Sequence, residues 1–205
     1  MKLRGIYKVN SDDDRIKIIA QLIEEGMVDP VVRKTVLEIV KDCKSKDWKC
    51  EINKIYKWVK ENIKYRYDPI GIDAYHSARR ILETRSADCD DYAILAGAMF
   101  ASLGYPIILR IVAKTKDRKY HHIYPVIGVP PHKSLKDVKK WIPLEFTVPQ
   151  INKPGVEVPY AKKKDYYIQF TGEAAKDKFE TDGYNNYDLE DEIIDGGYYE
   201  LYPEE

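Results

Sequence analysis

Three short stretches of this sequence carry residue types that could do chemistry together. The first is Asp88-Cys-Asp-Asp91, which runs into the slim segment Ala93-Ile-Leu-Ala-Gly-Ala98. Asp88 is a good helix N-cap, and Asp91, three residues on, completes a pair like a capping box. Cys89 then falls in a first helical turn. There, unpaired backbone N–H groups and the helix dipole favour a thiolate and can donate to a developing oxyanion. Aspartates on both sides oppose that ionisation, so the sulfur needs a proton-accepting ring. His121 and His122 are the candidates, on an expected strand further along the chain. Such a ring can pair with a thiolate and later protonate a leaving amine. A carboxylate orients a catalytic ring best, and Glu145 is the acid within the apolar stretch Trp141-Ile-Pro-Leu-Glu-Phe-Thr147.

The elements that must position these residues follow from periodicity and punctuation. Ser11-Asp-Asp-Asp14 opens a helix with an apolar stripe at Ile16, Ile19, Ala20 and Ile23, ended by Gly26. Asp29-Pro30 starts a second helix, with Val32, Val36, Ile39, Val40 and Cys43 on one face. A third spans about 48–63, with Ile52, Ile55, Tyr56, Val59 and Ile63 on its face. An extended stretch turns at Asp68-Pro69, and a short helix is expected over 74–83. The cysteine helix ends near Leu103-Gly104. Gly97 within it costs about 1 kcal/mol against Ala, so close packing against a neighbour is its expected reason. Strands are expected at 107–113, 120–129 and 141–147, with a further one at 166–170. Pro125 argues against regular pairing on both edges at that point. In the third strand Ile142, Leu144 and Phe146 share the apolar face. Glu145 lies opposite, on the face of Trp141, whose indole could cover the His–carboxylate bond.

Helices first and antiparallel strands afterwards make an α+β domain. Residues 1–45 are expected as N-terminal accessory helices, 46–172 as the core, and 173–205 as an acidic, Tyr-rich tail. The formal net charge is zero, but that tail holds twelve Asp/Glu against two Lys. The body is correspondingly basic, without a nucleic-acid recognition motif. Docking of the tail on the body, over the cleft beside Cys89, is expected from its tyrosines and Ile193-Ile194. No apolar run approaches the ~18 residues of a membrane span, and the N-terminal residues lack the apolar core of a secretory signal. Of the three cysteines, Cys43 and Cys50 are expected as reduced structural thiols. His76 and His132 lack ligand spacing, so no metal and no cofactor are expected. The many Lys, Glu and Ile residues suit a thermophile.

Taken together, Asp88-Cys-Asp-Asp-Tyr-Ala-Ile-Leu-Ala-Gly-Ala98, His122-Ile-Tyr124 and Trp141-Ile-Pro-Leu-Glu145 resemble the cysteine helix, His-x-aromatic strand and Trp-x-Pro-x-Asp strand of the transglutaminase-like superfamily. Ile55-Tyr-Lys-Trp-Val-Lys-Glu-Asn-Ile-Lys-Tyr65, Asp68-Pro69 and Ala78-Arg-Arg-Ile-Leu82 are similar to the version in Mu-like phage and prophage proteins. The resemblance covers roughly 12–150. It implies a papain-like core, with a Cys-bearing helix packed on an antiparallel sheet, and acyl transfer through a thioester. By position it implies Cys89 as nucleophile, His122 as base and then acid, and Glu145 as the group orienting His122. His121 is the competing ring. Two departures stand out: Glu145 replaces the usual Asp, and Ser86-Ala87 precedes Asp88 where a glycine is common.

The expected function is therefore a cysteine-dependent hydrolase of amide, peptide or isopeptide bonds. The alternatives are a protein-crosslinking transglutaminase and a non-catalytic virion or assembly protein of the same fold. A protein or peptide substrate is expected, with no nucleic acid or membrane partner. The expected location is the cytoplasm, or the virion for a phage-encoded chain.

Overall fold

The computed structural model describes residues 9, 11–68, 73–116 and 119–170. The expected tail 173–205 and the turn at Pro69 lie outside the described residues. Helix α1 (Asp12–Met27) is capped by Ser11, whose hydroxyl accepts from the Asp14 amide, and three aspartates sit in its first turn. Helix α2 (Pro30–Val40) follows, with Asp29 as N-cap and proline at its first position. Helix α3 (Trp48–Asn62) is capped by Asp47.

Next comes a two-residue strand, β1 (Lys64–Tyr65), then helix α4 (Ala78–Thr84) and another short strand, β2 (Ser86–Ala87). Helix α4 starts later than periodicity suggests, because Ser77 caps it. Residues 74–76 are instead tied down by side chains: the Ala74 amide donates to Asp68 and the His76 amide to Asp91. β1 and β2 pair in parallel, Tyr65 opposite Ala87. Two residues per strand leave no alternation to detect, so this pair was not expected.

Helix α5 (Cys89–Ser102) is buried along nearly its whole length. Four antiparallel strands follow: β3 (Ile107–Ala113), β4 (His122–Val129), β5 (Lys140–Pro143) and β6 (Lys162–Ile168), in the order β5-β4-β3-β6. The expected third strand stops at Pro143 rather than 147, because side chains of α3 take the main chain beyond it. The last strand starts four residues earlier than expected, and its lysines flank β3 out to Ala113. Pro125 sits where the β5 ladder runs out: Val126 pairs with Pro143, and the Pro125 carbonyl accepts from Leu144.

Alternation along the sheet splits the core in two. Ile107, Leu109, Ile111, Ile123 and Ile127 join the helices in the larger cluster. Ile108, Val112, Tyr124 and Val126 form a smaller one on the other face, closed by Ile151 and Val158. Leu144 and Phe146 fall in the larger cluster as the sequence pattern requires.

Helix α1 lies directly on α5. A Cβ at Gly97 would stand 2.7 Å from Ile23 Cδ1, so the glycine is there for close approach, as expected. Gly26 does not end α1 but lies in its last turn. A Cβ there would meet the Cβ atoms of both Ala78 and Ala98 at 2.8 Å.

Cys43 and Cys50 are not reduced thiols; they form a disulfide. The segment between α2 and α3 turns back on itself, with Lys46 at φ 64°, and brings their Cα atoms to 5.7 Å. Spacing and compartment arguments could not show that turn. A seven-residue separation limits the constraint on the unfolded chain to about 2 kcal/mol.

Gly26→Ala gains up to ~1 kcal/mol of helix propensity but presses two methyl groups that cannot move without their backbones. Overpacking of this kind costs about 1–3 kcal/mol. Urea unfolding should therefore give a lower midpoint for Gly26→Ala, and Ala98→Gly in the same chain should recover part of it.

Candidate active site

Cys89 occupies the first position of α5, after Asp88, whose carboxylate accepts from the Asp91 amide at 2.9 Å. Its sulfur is half-buried, lies 3.7 Å from Asp90 Oδ1, and receives the backbone amide of Ile123 on β4. Burial pushes the thiol well above its ordinary range, and Asp90 and Asp88 add to this. Arg15 and the Ile123 amide oppose it. The resting sulfur is thus a thiol, and the helix dipole alone does not ionise it.

His122 opens β4, one residue before the amide that faces the sulfur. Its Nε2 lies 2.6 Å from Glu145 Oε2. With Nε2 committed to the carboxylate, Nδ1 is the ring nitrogen left for other chemistry. The Tyr124 ring lies beside His122, centroids 5.6 Å apart. The Trp141 ring meets Tyr167 in a T-shaped contact, centroids 5.8 Å apart. His121 is exposed.

Glu145 has no exposed surface. Burial raises its pKa, but the bonds to His122 and to the Thr147 amide and hydroxyl outweigh that, and it falls below the ordinary range. Thr147 N and Oγ1 both donate to Oε1, at 2.6 and 2.7 Å. The carboxylate is ionised and fully engaged.

Two residues of α3 hold the chain that carries Glu145. Tyr56 Oη lies 2.6 Å from the Glu145 carbonyl and 3.0 Å from that of Ile151. Lys60 Nζ donates to the carbonyls of Phe146 and Val148 at 3.1 and 2.9 Å. The Tyr56 ring also stacks on Phe146. Sequence reasoning placed Tyr56 only on an apolar face and passed over Lys60. Their spacing of four, on one helix face, was the available signal.

Further polar contacts surround the cysteine. Arg15 of α1 grips Asp90 through Nε and Nη2. His76 meets Asp91 with its ring Nδ1 at 2.8 Å and its own amide at 2.9 Å. His76 is thus the partner of a buried carboxylate, not an isolated ring. His132 is exposed in the loop after β4. Oxygens of Asp88 and Asp90 and the Cys89 sulfur lie within 4.8 Å of one another. Asp88 caps α5 through Oδ1, and both Asp90 oxygens bond Arg15.

The family model of the transglutaminase-like superfamily matches residues 33–146, more than half of the chain. The chain belongs to that superfamily, and its mixed fold is the helix-on-antiparallel-sheet arrangement described above. A curated relative, UPF0252 protein MJ1282 of Methanocaldococcus jannaschii, is 33% identical over 103 residues, 46% of this chain and 28% of the relative. The chain thus spans little more than a quarter of that relative's length. Among solved structures, a candidate protease from Parabacteroides distasonis overlaps with TM-score 0.49 at 13% identity, covering 74% of this chain and 29% of the other. A candidate cysteine protease from Cytophaga hutchinsonii overlaps with TM-score 0.41 at 17% identity, covering 70% and 45%. At these scores neither bears on the assignment. Among the described residues, no helix is long and apolar enough to cross a membrane.

The acids beside Cys89 give a pH signature. Burial raises Asp88 to about 7 and Asp91 to about 6, against an ordinary 3.8. The folded state then binds protons more tightly than the unfolded one, so stability falls as pH rises from about 4 to about 7. Glu145 acts with the opposite sign and lower, since its depressed pKa costs stability only as pH falls through the acid range. Asp88→Asn keeps a capping oxygen and removes one of these titrations. Its melting temperature should fall less between about pH 5 and about pH 8 than that of the unaltered protein.

Proposed function

We propose that the protein is a cysteine-dependent acyl-transfer enzyme acting on amide bonds of a protein or peptide. A peptidase or isopeptidase is the leading form. The observation that carries this reading is the ionised, buried Glu145 bonded to His122 Nε2, on the strand whose next amide meets the Cys89 sulfur. In the proposed cycle, His122 Nδ1 takes the thiol proton as the sulfur attacks the amide carbon. The carbonyl oxygen gains charge beside the first-turn amides of α5. His122 then gives the proton to the departing amine, leaving a thioester on Cys89. Water, deprotonated by His122, attacks the thioester, releases the acid and restores the thiol.

Membership of the superfamily supports the thioester chemistry. Transfer to a lysine amine is the alternative second step, since an amine and water compete for the same thioester. The finer placement with Mu-like phage members, and a virion role, rest on the sequence motifs at 55–82 alone. A thermophilic source rests on the Lys, Glu and Ile content alone.

With Cys43 and Cys50 joined, Cys89 is the one free thiol of three. Iodoacetamide followed by mass spectrometry should modify Cys89 alone, and His122→Ala should slow that reaction. A screen of peptide amides with and without added amine then separates hydrolysis from transfer. Cys89→Ala should abolish turnover, and His122→Ala should cost about 10²–10⁴-fold. Glu145→Gln should cost less than His122→Ala, because a neutral acceptor still orients the ring. Turnover unchanged in Cys89→Ala would sink the reading.

A further inference from the structure

Arg15 lies before the residues that the family model matches, yet it is bound to the neighbour of the cysteine. Three contacts join its guanidinium to Asp90: Nε to Oδ2 at 3.2 Å, and Nη2 to Oδ1 and Oδ2 at 3.0 Å each. Asp90 is 3% exposed. A buried ion pair of this kind is a poor source of stability, since well-packed apolar residues generally do as well or better. Its position is more informative than its energy. The carboxylate oxygen that accepts from Arg15 Nη2, Oδ1, is also the one facing the Cys89 sulfur at 3.7 Å. The guanidinium itself has little freedom, because three contacts hold it and its side chain is 19% exposed.

We infer that Arg15 and Asp90 form a positioning pair for the nucleophile: Arg15 fixes the Asp90 carboxylate, and Asp90 accepts the hydrogen bond of the Cys89 thiol. This rests on the reading of Cys89 as nucleophile and extends its site to a helix outside the matched family region. The pair does two things. It sets the direction of the S–H bond in the free protein. It also sets the threshold for ionisation, since the adjacent carboxylate opposes a thiolate and the guanidinium beyond it offsets part of that. Other groups face the same space: Asp88 on α5, Tyr65 on β1, Tyr75 and Asp73 from the loop before α4, and the Ile123 amide on β4. Arg15 is the cation among the groups acting on the sulfur. Entry of a substrate carbonyl gives the sulfur a reason to turn from Asp90 towards the carbon, with His122 as the proton's destination.

The test is the pH dependence of Cys89 alkylation by iodoacetamide, on the full chain without substrate, with folding checked by circular dichroism. Asp90→Asn removes the like charge and should move the alkylation midpoint down by roughly one pH unit. Arg15→Gln removes the cation that favours the thiolate and should move it up, by less than roughly one unit because the buried Asp90, already raised by burial, then takes a proton. Arg15→Lys keeps the charge but not the fork, and should return most of the midpoint. If Arg15→Gln does not fold, the Asp90→Asn shift decides alone. A purely structural pair would lower the melting temperature of these variants and leave the midpoint in place, which overturns the inference. His122→Ala, run alongside, reports on the catalytic reading separately: a midpoint that ignores His122 but follows Asp90 rejects the triad and keeps the pair.

Discussion

A carboxylate with no exposed surface, held ionised, is the constraint around which this molecule is arranged. Burial alone would neutralise Glu145. Three donors prevent that: the His122 ring on one oxygen, and the amide and hydroxyl of Thr147 on the other. A glutamate is one methylene longer than the aspartate usual at this position of the superfamily. The chain that carries Glu145 leaves the β5 ladder at Pro143 and passes into the grip of Tyr56 and Lys60. Helix α3 therefore does more than fill the core. It holds the backbone on which the carboxylate depends, and the carboxylate in turn fixes the ring.

The cysteine depends on a different device. Helix α5 is lined with alanines and Gly97, so α1 can approach it to within backbone range. That approach buries α5 almost completely, and of its first turn Cys89 alone stays half-buried. Burial with aspartates on both sides keeps the sulfur protonated. Charge from Arg15 on α1 and the Ile123 amide on β4 both act on the sulfur, so Cys89 joins the helical layer to the sheet.

Much of this was legible in the sequence because it depends on strong local signals. Caps at Ser11, Asp29 and Asp88 placed three helix starts, and alternation through Ile142, Leu144 and Phe146 put Glu145 on the opposite face. The motif order paired His122 with Glu145, and their contact follows it. What stayed hidden depends on long-range geometry. The β1–β2 pair is too short for a pattern. The disulfide depends on a turn at Lys46 that no spacing rule contains. Tyr56, Lys60, Arg15 and His76 act through partners 15 to 95 residues away, so nothing in their local sequence announces them. Trp141 illustrates the converse: its face was right, but its neighbour is Tyr167 on β6, a strand whose start the pattern missed.

The central claim is that an ionised Glu145 fixes His122 through Nε2 and leaves Nδ1 for the thiol. Nitrogen-15 and proton NMR of the imidazole at neutral pH tests it most directly. The account predicts a strongly deshielded proton bound to His122 Nε2, present in the free protein and lost in Glu145→Ala. A proton on Nδ1 with a bare Nε2, or an Nε2 proton indifferent to Glu145→Ala, would contradict it.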